Sequence, residues 1–246
     1  MNPTYATYLI AGMSAIGVAV ATLLYRRVRE TSRIRRLASR LGWSVRLRGR
    51  DAVLARAGAL SLMRIGHSRR IGALFEPRPG VLAFSYSYET GTEIDRMTHS
   101  WRVVLCDVDC PLRWSILTDQ DWLIAAARVR RMRSFDLAPF AEADAIRSPH
   151  AFMTDDPDDW RDKMTPRLAA FLTQQSRERS WEISPGMVAA FEPGAFLESE
   201  MAAMVDQTSR LSQLLLTAFG AAEDSVASAD ASSLPSSVAS ATELAG

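Results

Sequence analysis

The sequence predicts an α+β fold: an N-terminal transmembrane helix followed by a mainly antiparallel sheet packed with helices. Three observations predict it. An uncharged run from Asn2 to Tyr25 is followed at once by arginines, strand-like alternation recurs between Trp43 and Thr118, and helix-period segments dominate after Thr118. The expected organisation is a transmembrane anchor over 1–25, a basic juxtamembrane helix over 26–42, a soluble α+β domain over 43–220 and a disordered Ala/Ser-rich tail over 221–246. With 246 residues, 48% hydrophobic and 23% charged, the chain has room for one sizeable domain plus appendages.

The formal charge of +1 conceals an asymmetry: Arg26 to Arg50 holds ten arginines against one glutamate, and the last 26 residues hold four acids and no base. Basic charge is thus confined to one segment, which argues against a generally nucleic-acid-binding domain, and no nucleic-acid partner is expected. Lys163 is the only lysine, the usage of a GC-rich bacterial coding sequence.

Tyr8 to Tyr25 is almost wholly apolar or small. As a helix these residues span about 27 Å, close to the hydrocarbon thickness of a bilayer. A cleaved signal peptide places its positive charge before the apolar run, whereas here Arg26, Arg27 and Arg29 follow it; Ala19, Val20 and Ala21 supply the one cleavage-like pattern. The expectation is an uncleaved single-pass anchor in the cell membrane, with a short N-terminus outside and everything after Tyr25 in the cytoplasm. Ala11, Ala15 and Ala19 recur at helical spacing, which permits close helix approach in lipid or simply reflects an Ala-rich span.

Next comes "RRVRETSRIRRLASRLGW", a helix ended by Gly42. Ile34, Leu37, Ala38 and Leu41 share one face and Arg33, Arg36 and Arg40 another. A basic amphipathic helix beside a membrane is drawn to anionic headgroups, so Arg26, Arg27, Arg29, Arg33, Arg36 and Arg40 are the candidate lipid contacts; the alternative is a helix packed on the domain with solvated arginines.

Within the domain, Trp43, Val45 and Leu47 alternate with Ser44, Arg46 and Arg48 as a half-buried strand. Weaker strand signals follow around Leu60 to Ile65 and Ile71 to Phe75, and "EPRPG" turns the chain into "VLAFSYSYETG". "HSWRVVLCDV" is apolar on both faces in its middle, the mark of a central strand, and "LRWSILT" is expected to be its neighbour. Thr118 is the expected N-cap of a helix through "DWLIAAARVRRMRSF", and a second helix is expected from "TDDPDDW" to about Gln175. "RSWEISPGMVAAFEPG" has the form of a hairpin turning at Ser184 to Gly186, with Trp181 and Ile183 on one face. The last helix, Ala195 to Phe219, carries Leu197, Met201, Met204, Val205, Thr208, Leu211 and Leu215 as its apolar stripe. After Gly220, fifteen of 26 residues are Ala or Ser, too little apolar surface to offset ordering entropy.

This order of a span, a basic helix ending "LGW", an "FSYSY" strand, an "HSWRVVL" strand and "FMTDDPDDWRDKMTPRLAAFL" resembles a bacterial group of single-span membrane-anchored proteins with a cytoplasmic α+β domain. The resemblance implies that architecture; it implies no activity and supplies no functional residue.

Leu82, Phe84, Tyr86 and Tyr88 stand on alternate positions and could stack nucleic-acid bases, but the flanks carry Glu76, Glu89 and Glu93 as much as Arg78. With Ala83, Ser85 and Ser87 small and polar on the other face, the aromatic face is expected to be core and Ser85 surface. Cys106 and Cys110 lie roughly 13 Å apart if both stand on one strand, beyond a disulfide or a shared metal unless Asp109 and Pro111 begin a turn, so two free buried thiols are expected. Asp156 as N-cap, Pro157 at the first helical position and Asp158 and Asp159 on the helix dipole account for "DDPDDW" without calcium. "RVRRMR" offers Arg128, Arg130, Arg131 and Arg133 as a docking patch for phosphate, lipid or an acidic partner, against the plainer reading of a solvated helix end.

No cofactor or metal is expected, and no HExxH, GxSxG or Gly-rich phosphate loop marks an enzyme. Two functions follow. The leading one is a membrane-tethered, non-catalytic cytoplasmic domain for protein interaction or scaffolding at the inner face of the bacterial membrane, with the membrane and a protein partner or a second copy as its company. The alternative is a membrane-bound enzyme or small-ligand binder with a site in a cleft between sheet and helices, for which converging polar groups such as His99 with Asp107 or Glu76 would speak.

Overall fold

The computed structural model describes residues 3–46, 48–140, 150–175, 179–194 and 197–220; the expected tail over 221–246 lies outside them. In chain order the elements are α1 (Pro3–Leu41), β1 (Ser44–Val45), α2 (Arg50–Ala57), β2 (His67–Arg78), β3 (Val81–Thr90), β4 (Met97–Asp107), β5 (Ser115–Thr118), α3 (Asp121–Val129), β6 (Arg133–Ser134), β7 (Ala151–Thr154), α4 (Pro157–Lys163), α5 (Pro166–Thr173), β8 (Ser180–Ser184), β9 (Met187–Pro193) and α6 (Glu198–Phe219). Antiparallel strands packed with helices make the fold α+β, as the sequence predicts. The chain divides into two compact units, Met1–Cys106 with Ala189–Thr208, and Asp107–Val188 with Ser209–Gly246.

In the first unit α1 is one continuous helix of 39 residues. It stops at Gly42, which is left-handed at φ 67°. The Gly42 N–H donates to the Ser39 carbonyl at 3.4 Å and the Trp43 N–H to the Ala38 carbonyl at 2.8 Å, the two bonds of a Schellman cap. Ala38 is buried and Ile34, Leu37 and Leu41 half-buried, so the expected apolar face is the packed one. Among the described residues no helix is long and apolar enough to cross a membrane. The backbone of the expected span is helical from Pro3, but many of its side chains lie outside the described residues.

Two sequence expectations fail next. The strand over Trp43 to Arg48 shrinks to Ser44–Val45, opposite Glu76 and Phe75, because the chain turns at Gly49 into α2, a helix without the apolar stripe that would have announced it. Leu60 to Ile65 is not a strand: Leu62–Arg64 is a 3₁₀ turn. The adjacent Leu62 and Met63 are both buried, which alternation along a strand that faces solvent on one side does not allow.

β2 and β3 are joined by Pro79-Gly80, with Arg78 opposite Val81, the turn that "EPRPG" predicts. The sheet order in this unit is β1-β2-β3-β4-β9. Leu82, Phe84, Tyr86 and Tyr88 pair with Leu105, Val103, Trp101 and His99 on β4. All four ladder residues are buried, with Phe84 and Tyr86 at 0% exposure, so the aromatic ladder is core. Burial also pushes the Tyr86 hydroxyl up to about 12, the nearby Arg69 guanidinium opposing it in part. The opposite face is not a solvent face as expected: Ala83 is fully buried and Ser85 and Ser87 are half-buried.

In the second unit β5 is flanked by β8 and β7, with β6 beyond β7. "LRWSILT" therefore does not neighbour β4 in the way its position after Pro111 suggests. Ile116 lies opposite Met153 and Glu182, and Leu117 opposite Phe152 and Trp181. All of β5 and β8 is buried, so Glu182 is buried between Trp181 and Ile183. Thr118 ends β5 rather than capping α3: its Oγ1 contacts the Ser180 hydroxyl at 2.7 Å and accepts from the Gln120 N–H at 3.0 Å. A strand residue already committed across the sheet cannot also begin the helix.

Asp156 caps α4, its carboxylate accepting from the Asp159 N–H at 3.2 Å, with Pro157 in the first turn as expected. The helix does not continue to Gln175. Pro166 removes an N–H and holds Thr165 extended at φ −96° and ψ 153°, and Thr165 then caps α5 by accepting from the Leu168 N–H at 3.2 Å. In this unit the rings of Phe135, Phe152, Trp160 and Phe219 meet in sequence edge to face, at centroid separations of 5.8, 4.8 and 4.9 Å. Pro185-Gly186, with Gly186 at φ 76°, turns the chain from β8 to β9 where the hairpin is expected.

α3 ends in a second Schellman cap, Arg131 N–H to Arg128 carbonyl at 2.9 Å and Met132 N–H to Ala127 carbonyl at 3.0 Å, with a non-glycine in the left-handed position, Arg131 at φ 61°. Its side chain is exposed. Arg131→Gly is expected to raise stability by about 0.5 to 1 kcal/mol, the relief of left-handed strain net of glycine's entropy, read as a higher urea midpoint at unchanged slope.

Of the stripe predicted for the last helix, Met201, Met204, Val205, Thr208, Leu211 and Leu215 are buried, whereas Leu197 stands 51% exposed. It precedes α6, so helical periodicity does not govern it. Residues 195 and 196, where that helix was expected to begin, lie outside the described residues.

Candidate functional site

The first unit contains a groove of about 700 Å³. One wall is α1, with Arg33, Ile34, Arg36, Leu37 and Arg40; the floor is Gly72, Ala73 and Phe75 of β2 with Ser85 of β3; Leu197 and Glu198 close the end. Gly72, Ala73 and Ser85 keep the floor low, and Phe75 is fully buried beneath it. A Cβ added at Gly72 would fall 2.2 Å from the Ser85 Oγ, so a larger residue there would turn that hydroxyl aside and take up part of the floor.

Three of the six candidate lipid contacts are thereby brought together. Arg33 and Arg36 are exposed along the wall, and Arg40 is paired with Glu198. Arg26 and Arg29 are exposed on the same helix, and the side chain of Arg27 lies outside the described residues. Because α1 is unbroken, Arg26, Arg29, Arg33, Arg36 and Arg40 follow at steps of three and four residues and form one stripe running into the groove. The groove sits where this stripe meets the apolar face of the helix.

The second arginine cluster does not act as a unit. Arg128, Arg131 and Arg133 are exposed. Arg130 is turned inward, donating from Nη1 to the buried Glu182 carboxylate at 3.2 Å and stacking 4.4 Å from the centroid of Trp114. The polar groups proposed to converge are held locally: His99 Nε2 lies 2.8 Å from the Thr90 hydroxyl and its ring stacks on Tyr88 at 4.9 Å, while Glu76 accepts two bonds from Arg46 at 2.7 and 2.9 Å. Cys106 and Cys110 are free thiols, but only Cys106 is on β4 and buried; Cys110 lies beyond the end of the strand at Asp107 and is half-buried, enough to push its thiol above the ordinary value.

Sequence reasoning misses a buried charge cluster in the first unit. Arg102, in the middle of β4, donates to Glu192 at 3.0 Å, both side chains 7% exposed, and lies 2.5 Å from Glu200. A signal was present: "SWRVV" and "AAFEPG" each place one charge, of opposite sign, in an otherwise apolar strand. Among the described residues no group of three or more His, Cys, Asp or Glu is arranged to hold a metal ion.

No family model matches the chain, and no curated protein matches it. Among solved structures it is similar to the mycobacterial trehalose monomycolate transport factor A, TtfA. The identity is 11% and the TM-score 0.47, over 77% of this chain and 96% of that one.

Proposed function

We propose that this protein is a membrane-tethered, non-catalytic domain that binds other molecules at the inner face of the bacterial membrane. The observation that carries the reading is the surface of α1. Asn2 to Tyr25 holds no charge, and within that run Met13, Val18, Leu23 and Leu24 are all more than half exposed. A helix so apolar on its exposed surface calls for an apolar cover, and the length from Tyr8 to Tyr25, about 27 Å, suits a bilayer. The arginines that begin at Arg26 favour a cytoplasmic domain.

The groove supports binding over catalysis. Its lining offers cations, apolar carbon and small residues, and its acid, Glu198, is engaged by Arg40. Such groups hold and orient a ligand rather than pass protons to it. Arg128, Arg131 and Arg133 supply an exposed basic surface for an acidic partner. A small-ligand binder is the second reading, and the position of the groove between strands and helix within one unit favours it.

A reporter fused after Phe219 is expected to be active only in the cytoplasm, with the chain pelleting with membranes and resisting carbonate extraction. Export of the reporter, or a mature N-terminus near Thr22, would refute the tether.

A further inference from the structure

We propose that the groove binds one anionic single-chain amphiphile, its head on Arg33 and Arg36 and its chain against Ile34, Leu37 and Leu197. The proposal deepens the tethered reading, since the adjacent leaflet is the source of the ligand.

The two ends of the groove ask for different chemistry. Arg33 and Arg36 are neighbours on one turn of α1, and planar guanidinium forks favour carboxylate or phosphate oxygens. The carboxylate of the groove, Glu198, is already taken by Arg40, so these two cations are left facing an open space with net positive charge. Beside them Leu197 is half exposed although leucine gains by burial, and Ile34 and Leu37 are only half covered. The small floor at Gly72, Ala73 and Ser85 gives depth. A volume of about 700 Å³ lies within the usual range for a bound small molecule, and a lining whose one aromatic residue, Phe75, is fully buried and offers no open ring face favours an acyl chain over a nucleotide base.

The arginine stripe gives the ligand its route. Arg26 to Arg33 is seven helical residues, about 10 Å, so the head of an amphiphile leaving the leaflet surface passes from one cation to the next until the groove accepts its chain. Single-chain amphiphiles leave a bilayer far more readily than two-chain lipids, because each buried methylene adds to the cost of transfer.

The full chain in phosphatidylcholine nanodiscs, photolabelled with palmitate carrying a diazirine near the chain end, tests this. Label is expected in the peptides holding Ile34, Leu37 and Leu197. Arg33→Gln with Arg36→Gln is expected to lower it about tenfold or more while leaving the unfolding midpoint unchanged, both side chains being exposed. Unlabelled palmitate should chase the label; hexadecanol, which lacks the charge, and acetate, which lacks the chain, should not. Equal chase by hexadecanol, or groove labelling indifferent to the double substitution, overturns the proposal. Label confined to residues before Arg26 overturns it and leaves the tether standing. Label in the groove with none before Arg26 upholds the groove and removes the tether.

Discussion

Phe84→Ala is expected to destabilise the protein by about 3 to 5 kcal/mol. Phe84 has no exposed surface and pairs with Leu74 of β2 on one side and Val103 of β4 on the other. Truncation there removes a large apolar side chain and opens a cavity that two rigid neighbouring strands cannot collapse to fill. Ser85→Ala, one residue along and half exposed, is expected to change stability by less than about 0.5 kcal/mol. Urea unfolding of the full chain in mild detergent, followed by hydrogen exchange in β3 and β4, reads both. A Phe84→Ala protein as stable as its parent would sink the core assignment.

The second large effect is expected at Arg102. Arg102→Ala leaves the Glu192 carboxylate buried without its cation and should cost about 3 to 5 kcal/mol. Arg102→Met combined with Glu192→Leu should recover most of that loss, since a buried ion pair is often no more stable than an apolar pair of similar volume. The ordering of the three proteins is the test. If Arg102→Ala alone lowers stability by under about 1 kcal/mol, water reaches Glu192 and the pair is not a buried one. Gly194 stands close by, a Cβ there lying 3.2 Å from the guanidinium, so a larger residue at that position should also disturb the pair.

What could be read from the sequence was what local chemistry decides. Gly42 stopping α1, Asp156 with Pro157 starting α4, and Pro79-Gly80 and Pro185-Gly186 turning hairpins all follow from a few consecutive residues. The aromatic ladder was legible because its face must pack on something. The break at Pro166 was also written in the sequence, and a run of helix-compatible residues on both sides obscured it. α2 was missed because its burial is limited to Val53 and Ala57, and Thr118 was misread because a hydroxyl that caps a helix looks the same as one that crosses a sheet. The groove was out of reach of any local argument: it joins residues 33–40, 72–85 and 197–198, and its clearest sign, a half-exposed Leu197, contradicts the periodic pattern that absorbed that residue.

The unbroken course of α1 from Pro3 to Leu41 makes it a transmission shaft. With no proline or glycine hinge between Arg26 and Leu41, the azimuth of the first residues about the helix axis is locked to that of Arg33 and Arg36 by residue count alone. One residue inserted after Glu30 turns the two ends about 100° out of phase, whereas seven restore the phase to within about 20° and lengthen the shaft by about 10 Å. Any role that requires the groove to face a fixed direction relative to the first 25 residues should survive the insertion of seven and fail with two, whereas a role that needs only proximity should tolerate both.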